Sequence, residues 1–149
     1  MKSIKNNPIL KREIIMEHYQ QPRNHQLVVD KRYKQVNMHH DTCLDDVFLQ
    51  VLIENGIIED IRFDSKACVI ATASTSIMSE LLKGCSIDEA EAIIQNNFNM
   101  VYQKEYDEKL LGEAVVFDTV GRQVNRIICA TMGWNGLIKV INESKNKNE

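Results

Sequence analysis

Two alternating apolar runs meet at an Asn-Gly pair near the middle of the chain. Val47, Leu49, Val51 and Ile53 alternate with Phe48, Gln50, Leu52 and Glu54; Asn55-Gly56 follows, and a second run extends from Ile57 to Phe63. A period of two sends successive side chains to opposite faces of a strand. An Asn-Gly pair between two such runs predicts a hairpin, because the tight turn needs positive φ at both central residues. This fixes antiparallel pairing at the centre of the fold. Both faces of the first strand carry apolar residues, so helices are expected to cover one face. A short additional strand is predicted near Tyr33 to Val36.

Helical signals flank this sheet. Asn7-Pro8 opens a first helix, with Asn as cap and Pro at the first helical position. Leu10, Ile14, Ile15 and Tyr19 recur at helical spacing as its expected buried stripe, and Pro22 ends it within the turn Gln21 to Asn24, which leaves Arg23 at the surface. After the hairpin a helix is predicted from about Val69 to Lys83, stopped by Gly84. Ser86-Ile87-Asp88-Glu89 reads as a capping box for the next, with Ile87, Ala90, Ile94 and Phe98 on its apolar side. Gln103 to Gly121 is less regular. From about Val124 a last helix is predicted, carrying Ile127, Ile128, Trp134, Ile138 and Ile141; Gly133 and Gly136 weaken it or let it approach a neighbour closely.

Strands that precede helices define an α+β fold: a small antiparallel sheet of about three strands packed against several α-helices. The 149 residues fit one domain, residues 1–149, with a core at 10–141 and a frayed tail at 142–149. A net charge of −3 gives no basic field for nucleic acid. The polar start, Met1 to Lys11, lacks the apolar core of a signal peptide, and no run approaches a membrane span. The expected setting is cytoplasmic, where the four cysteines stay reduced and are available for metal binding or nucleophilic chemistry.

Three of those cysteines have neighbours suited to a metal. Cys43 and Asp45 are two apart, so in extended chain both point the same way; Cys68 precedes the predicted helix and its run of small residues, Ala71 to Ser76; Cys129 follows Arg126 at the front of the last helix. Backbone N–H groups at a helix start favour a thiolate at Cys68. Three thiolates and a carboxylate are a four-ligand set for zinc or iron. Their charge exceeds that of a divalent ion, which gives Arg126 a role as a neighbouring counter-ion. Taken singly, each cysteine reads more readily as a small buried hydrophobe than as a ligand, and the spacings are not those of a zinc finger. Asp45 alone reads as a solvated acid. His39 and His40 lie close enough in sequence to Cys43 for one of them to donate nitrogen, and Cys85 sits in an interhelical turn as an incidental thiol. A structural zinc domain that mediates protein interaction and a cysteine-nucleophile hydrolase both stay open on these residues alone.

Several separate stretches, taken together and in order, narrow these alternatives. His18-Tyr19-Gln20-Gln21-Pro22-Arg23-Asn24, Thr42-Cys43-Leu44-Asp45, Gly56-Ile57-Ile58-Glu59-Asp60 with Phe63 and Cys68, Ala73-Ser74-Thr75-Ser76-Ile77-Met78, Lys104-Glu105-Tyr106-Asp107 and Arg126-Ile127-Ile128-Cys129-Ala130-Thr131 resemble the U-type iron–sulfur assembly proteins, a family that includes IscU, the N-terminal domain of NifU, and SufU. The likeness runs from about Leu10 to Ile141. It implies a compact α+β domain that binds zinc, or a transient [2Fe–2S] or [4Fe–4S] cluster, through Cys43, Asp45, Cys68 and Cys129. It also implies a SufS-like cysteine desulfurase as sulfur donor and downstream iron–sulfur acceptor proteins as further partners. With Pro8 and Pro22 as its only prolines, the chain lacks the Leu-Pro-Pro-Val-Lys segment by which IscU-type members bind a dedicated Hsp70; Ile128 stands where those members have histidine, and the stretch between Cys68 and Cys129 is longer. The resemblance is therefore nearest the SufU branch. Leu44 replaces the family's usual glycine, and His40-Asp41 its usual Asn-Pro, which narrows the backbone choices of that loop. On this reading Cys43, on a loop beside the hairpin, is the thiol that takes up sulfur, by a zinc-dependent relay or on a cluster scaffold.

Overall fold

The structure, a computed structural model, describes residues 4–40 and 45–147. A turn of 3-10 helix at Ile4–Asn6 leads into α1 (Pro8–Gln20), whose first turn is closed by the Asn7 side chain accepting from Leu10 N at 3.1 Å. Three strands follow: β1 (Lys34–His39), β2 (Asp46–Glu54) and β3 (Ile57–Lys66). They form one antiparallel sheet in the order β1-β2-β3. The hairpin lies where Asn55-Gly56 places it, with φ of 54° and 74° at the two turn residues. β1 is longer than the short strand expected near Tyr33 to Val36, because its pairing with β2 continues to His39 opposite Asp46.

α2 (Val69–Leu82) and α3 (Ile87–Val101) come next. Gly84, at φ 90°, carries the chain out of α2. Ser86 and Glu89 exchange both bonds of the capping box, each at 3.1 Å. The irregular stretch folds as three short 3-10 turns, Glu108–Leu110, Gly112–Phe117 and Val120–Arg122, whose Leu111 and Ala114 to Phe117 are buried. α4 (Val124–Lys147) closes the chain. Residues 142–147, expected as a frayed tail, instead continue this helix. Val140, Ile141 and Ser144 are buried there, and Lys145 Nζ meets the Glu91 carboxylate at 2.7 Å, so the charged residues occupy only its outer side. No helix among the described residues is long and apolar enough to cross a membrane.

Helices cover one face of the sheet. Val47, Leu49 and Val51 of β2 point into the core with Ile58, Ile61 and Phe63 of β3, Met78 of α2, and Trp134 and Leu137 of α4. Two glycines let α4 lie directly on its neighbours. A Cβ at Gly133 would fall 2.5 Å from Thr75 Oγ1, and one at Gly136 would fall 2.8 Å from both Leu49 Cδ1 and Met38 Cγ. The other face of the sheet is partly covered by the chain between α1 and β1. There Gln50 Nε2 donates to Val28 O and Gln50 Oε1 accepts from Val28 N, each at 2.8 Å, while at the edge of β3 Asn24 O accepts from Phe63 N.

The buried side of α1 is a correction to the sequence reading. Ile14 is buried and Leu10 and Ile15 are partly so, but Tyr19 is exposed and His18 takes the inward position. Both ring nitrogens of His18 are satisfied: Nδ1 lies 2.8 Å from Ser76 Oγ and Nε2 3.0 Å from Glu113 Oε1. A histidine with both nitrogens bonded can be buried at little cost. Ser76 Oγ also accepts from Arg23 N at 2.8 Å, which ties the turn after α1 to α2.

Candidate metal centre

Three of the four candidate ligands converge at one end of the molecule. The donor atoms of Asp45, Cys68 and Cys129 all lie within 4.8 Å of one another. Cys43 lies outside the described residues. Asp45 directly precedes β2, Cys68 is the N-cap of α2, and Cys129 is in the second turn of α4. Each donor therefore hangs from the start of a different element, and the packing of α2 and α4 against the sheet brings those starts together.

Backbone groups hold the donors in place. Asp45, itself buried, accepts the Cys68 N–H on Oδ1 at 2.8 Å. Cys68 Sγ accepts the Ala71 N–H at 3.4 Å, the contact a capping thiolate makes with the first turn of a helix. Cys129 Sγ donates to Asn125 O at 3.6 Å. The Ala71 contact is the helix-start N–H expected at Cys68; Asn125 was not legible, because a contact made by a carbonyl leaves no signature in residue type.

Electrostatics oppose ionisation here unless a cation is supplied. Burial raises the Cys68 thiol above its ordinary value; the Ala71 N–H works against that rise and the Asp45 carboxylate adds to it. Burial likewise raises Cys129, and the neighbouring Cys68 sulfur and Asp45 carboxylate add to the effect. Two thiols and a carboxylate crowded at a half-buried point carry donor atoms and a negative charge that a divalent ion would offset. The donor set suits zinc or iron, which accept sulfur and oxygen together, better than magnesium or calcium.

The other candidates are not among the three donors grouped within 4.8 Å. His39 ends β1 and His40 follows it, and neither joins the three donors. Arg126 is exposed at the front of α4, three residues before Cys129. Cys85 sits between α2 and α3, its thiol donating to Leu81 O at 3.7 Å and its carbonyl accepting from Ile58 N. Cys68 caps the start of α2 and Cys85 lies just past its end, so the helix holds these two sulfurs roughly 20–25 Å apart.

The fold and the site together define a small α+β domain with a sulfur-and-carboxylate donor cluster at one end. Residues 10–148 match the model of the NifU-like N terminal domain, and the chain belongs to that family. It is 34% identical over 140 residues to the zinc-dependent sulfurtransferase SufU of Bacillus subtilis, covering 93% of this chain and 94% of that protein. It is also 34% identical over 134 residues to the iron–sulfur cluster assembly scaffold protein IscU of Streptococcus pyogenes serotype M1, covering 89% of this chain and 83% of that one. Among solved structures it resembles a putative iron–sulfur cluster assembly scaffold protein for the SUF system from Fervidobacterium islandicum AW-1. The TM-score is 0.79 at 30% identity, over 84% of this chain and 91% of the other.

Proposed function

We propose that this chain is an iron–sulfur cluster assembly protein that accepts sulfur from the persulfide of a cysteine desulfurase, at a centre formed by Cys43, Asp45, Cys68 and Cys129. The observation that carries the reading is the convergence of Asp45, Cys68 and Cys129 within 4.8 Å. The 34% identity to a zinc-dependent sulfurtransferase over nearly the whole chain supports zinc as the resident ion. Zinc, when bound, keeps sulfur ligands in the thiolate form and has no redox chemistry of its own.

The chain's own residues divide the work. Cys68 and Asp45 are the anchored donors, since one caps α2 and the other bonds that cap's backbone N–H. Cys43, two residues before Asp45 in the sequence, is the acceptor. Its thiolate attacks the outer sulfur of the donor persulfide; the donor's S–S bond breaks, the donor cysteine leaves as thiolate, and Cys43 carries the transferred sulfur as a persulfide. No net oxidation or reduction occurs, and the proton on the transferred sulfur travels with it.

The 34% identity to an IscU scaffold supports a second reading, in which the same four side chains hold a nascent iron–sulfur cluster as cargo. Metal and labile-sulfide analysis of protein purified without oxygen separates the two. About one zinc per chain, with acceleration of sulfide release by a SufS-type desulfurase, is expected of the relay; iron with stoichiometric labile sulfide and no acceleration would make the scaffold the correct reading. A purely structural zinc domain predicts neither acceleration nor cluster, and a cysteine hydrolase would keep its activity after chelation.

A further inference from the structure

Two hollows share Tyr102 and Asn135 as a common wall and form one groove between α4 and the C-terminal half of α3. The first, of about 180 Å³, has an apolar floor of Met38 from β1 and Ile127, Ile128 and Met132 from α4, with His39 and His40 on its rim. The second, of about 290 Å³, is lined by amides, Gln95, Asn99 and Asn135, beside Phe98. The apolar half lies toward the donor cluster, since His39 on its wall pairs across the sheet with Asp46, the residue after Asp45. Tyr102, 55% exposed, stands on the wall between the halves.

Charge along the groove is one-sided. The chain as a whole carries more acids than bases, 21 against 18. Even so, no Asp or Glu among the described residues lines either hollow; the titratable side chains there are His39, His40, Tyr102 and Lys104. The exposed Arg126 adjoins Ile127 of the apolar half. An apolar pocket, then a row of amides, then a cation complement an extended peptide: one bulky side chain fills the pocket, the amides bond its backbone, and a carboxylate meets the lysine. An exposed tyrosine beside an apolar pocket is also typical of the anchor points of protein interfaces.

We infer that this groove docks an extended acidic segment of the sulfur-donor protein, with a bulky apolar side chain in the Met38–Ile128–Met132 hollow, so that the donor's persulfide is delivered to the adjoining sulfur cluster. The inference rests on the sulfur-relay reading for the identity of the donor. Lys104 and Tyr102 set affinity and orientation; they touch neither the metal donors nor the transferred sulfur.

The test measures binding of the zinc-loaded full chain to a purified SufS-type cysteine desulfurase by biolayer interferometry, alongside sulfide release. Tyr102→Ala and Lys104→Glu, both on exposed side chains, are each expected to raise Kd about tenfold. Lys31→Glu, the same charge change on an exposed loop near the hairpin end of the sheet, is expected to bind as the wild type. Raising the ionic strength should weaken the wild type more than Lys104→Glu. Cys43→Ala should bind normally while transferring no sulfur. Wild-type Kd values for both groove variants, losses equal to that of Lys31→Glu, or no binding by the wild type would overturn the proposal. So would self-association that Tyr102→Ala abolishes, which would give the groove to a second copy of this chain. Binding that depends on Tyr102 without any stimulation of sulfide release would sink the relay reading and leave the groove standing.

Discussion

Asp45 does two things through two different atoms' worth of chemistry, and substitutions can part them. Its Oδ1 accepts the Cys68 N–H, and its negative charge belongs to the donor cluster. Asp45→Asn keeps a carbonyl oxygen for the backbone bond and removes the charge. Zinc affinity, read by competition with a chromophoric chelator, is expected to fall at least tenfold, about 1.4 kcal/mol, while the thermal midpoint of the metal-free protein stays close to that of the wild type. Cys43→Ala should abolish persulfide uptake, followed by mass spectrometry, with an unchanged circular dichroism spectrum. Asp60 carries a different residue-scale consequence. Burial works to raise its pKa, but bonds from Tyr33 at 2.6 Å and Arg62 at 2.9 Å, with Lys83 at 3.2 Å, outweigh burial and hold it below the ordinary value. A folded-state pKa below the unfolded one means stability that is present above about pH 4 and is lost as pH falls through the folded value. Asp60→Asn is therefore expected to cost about 1–3 kcal/mol at pH 7. The difference between the variants should shrink by pH 3, checked by urea unfolding at both values.

Elements with local punctuation were readable in advance; elements placed by distant partners were not. The Asn55-Gly56 turn, the Asn7 cap and the Ser86–Glu89 box each declare themselves within four residues, and all three are in place. On α1 the apolar periodicity chose Tyr19 for the interior, yet His18 occupies it because its partners Ser76 and Glu113 lie 58 and 95 residues away. The tail misled for a related reason: lysines and asparagines dominate its composition, and only packing against the body of the domain shows that Ser144 faces inward. Gly133 looked like a weakness in α4 and is a point of close approach. Gly133→Ala would drive a methyl against the Thr75 hydroxyl and methyl, with an expected loss of about 1–3 kcal/mol. Thr75→Ala in the same chain should restore part of that loss, so the double-mutant cycle is expected to show clear coupling.

At the scale of the whole molecule, a bound ion would join the start of β2, the start of α2 and the second turn of α4. A ligand that binds only the folded state raises stability by mass action, by about 2.7 kcal/mol when it is present at a hundred times its dissociation constant. Zinc is expected to raise the thermal midpoint of the wild type, chelation to reverse it, and Cys68→Ser with Cys129→Ser to remove the dependence, all by differential scanning calorimetry. Sequence spacing alone did not bring these donors together: Cys43, Cys68 and Cys129 are too widely separated for any local rule, and the ordered set of motifs, read as a family likeness, was the signal that linked them. Gly133 and Gly136 carry a last consequence. With no clearance beneath it at either glycine, α4 is clamped like a beam bolted flat to a plate. Pivoting or sliding that beam would drive backbone into Thr75 and Leu49. Cys129, one turn before Gly133 on the same helix, is therefore held at a fixed setting relative to the sheet and α2.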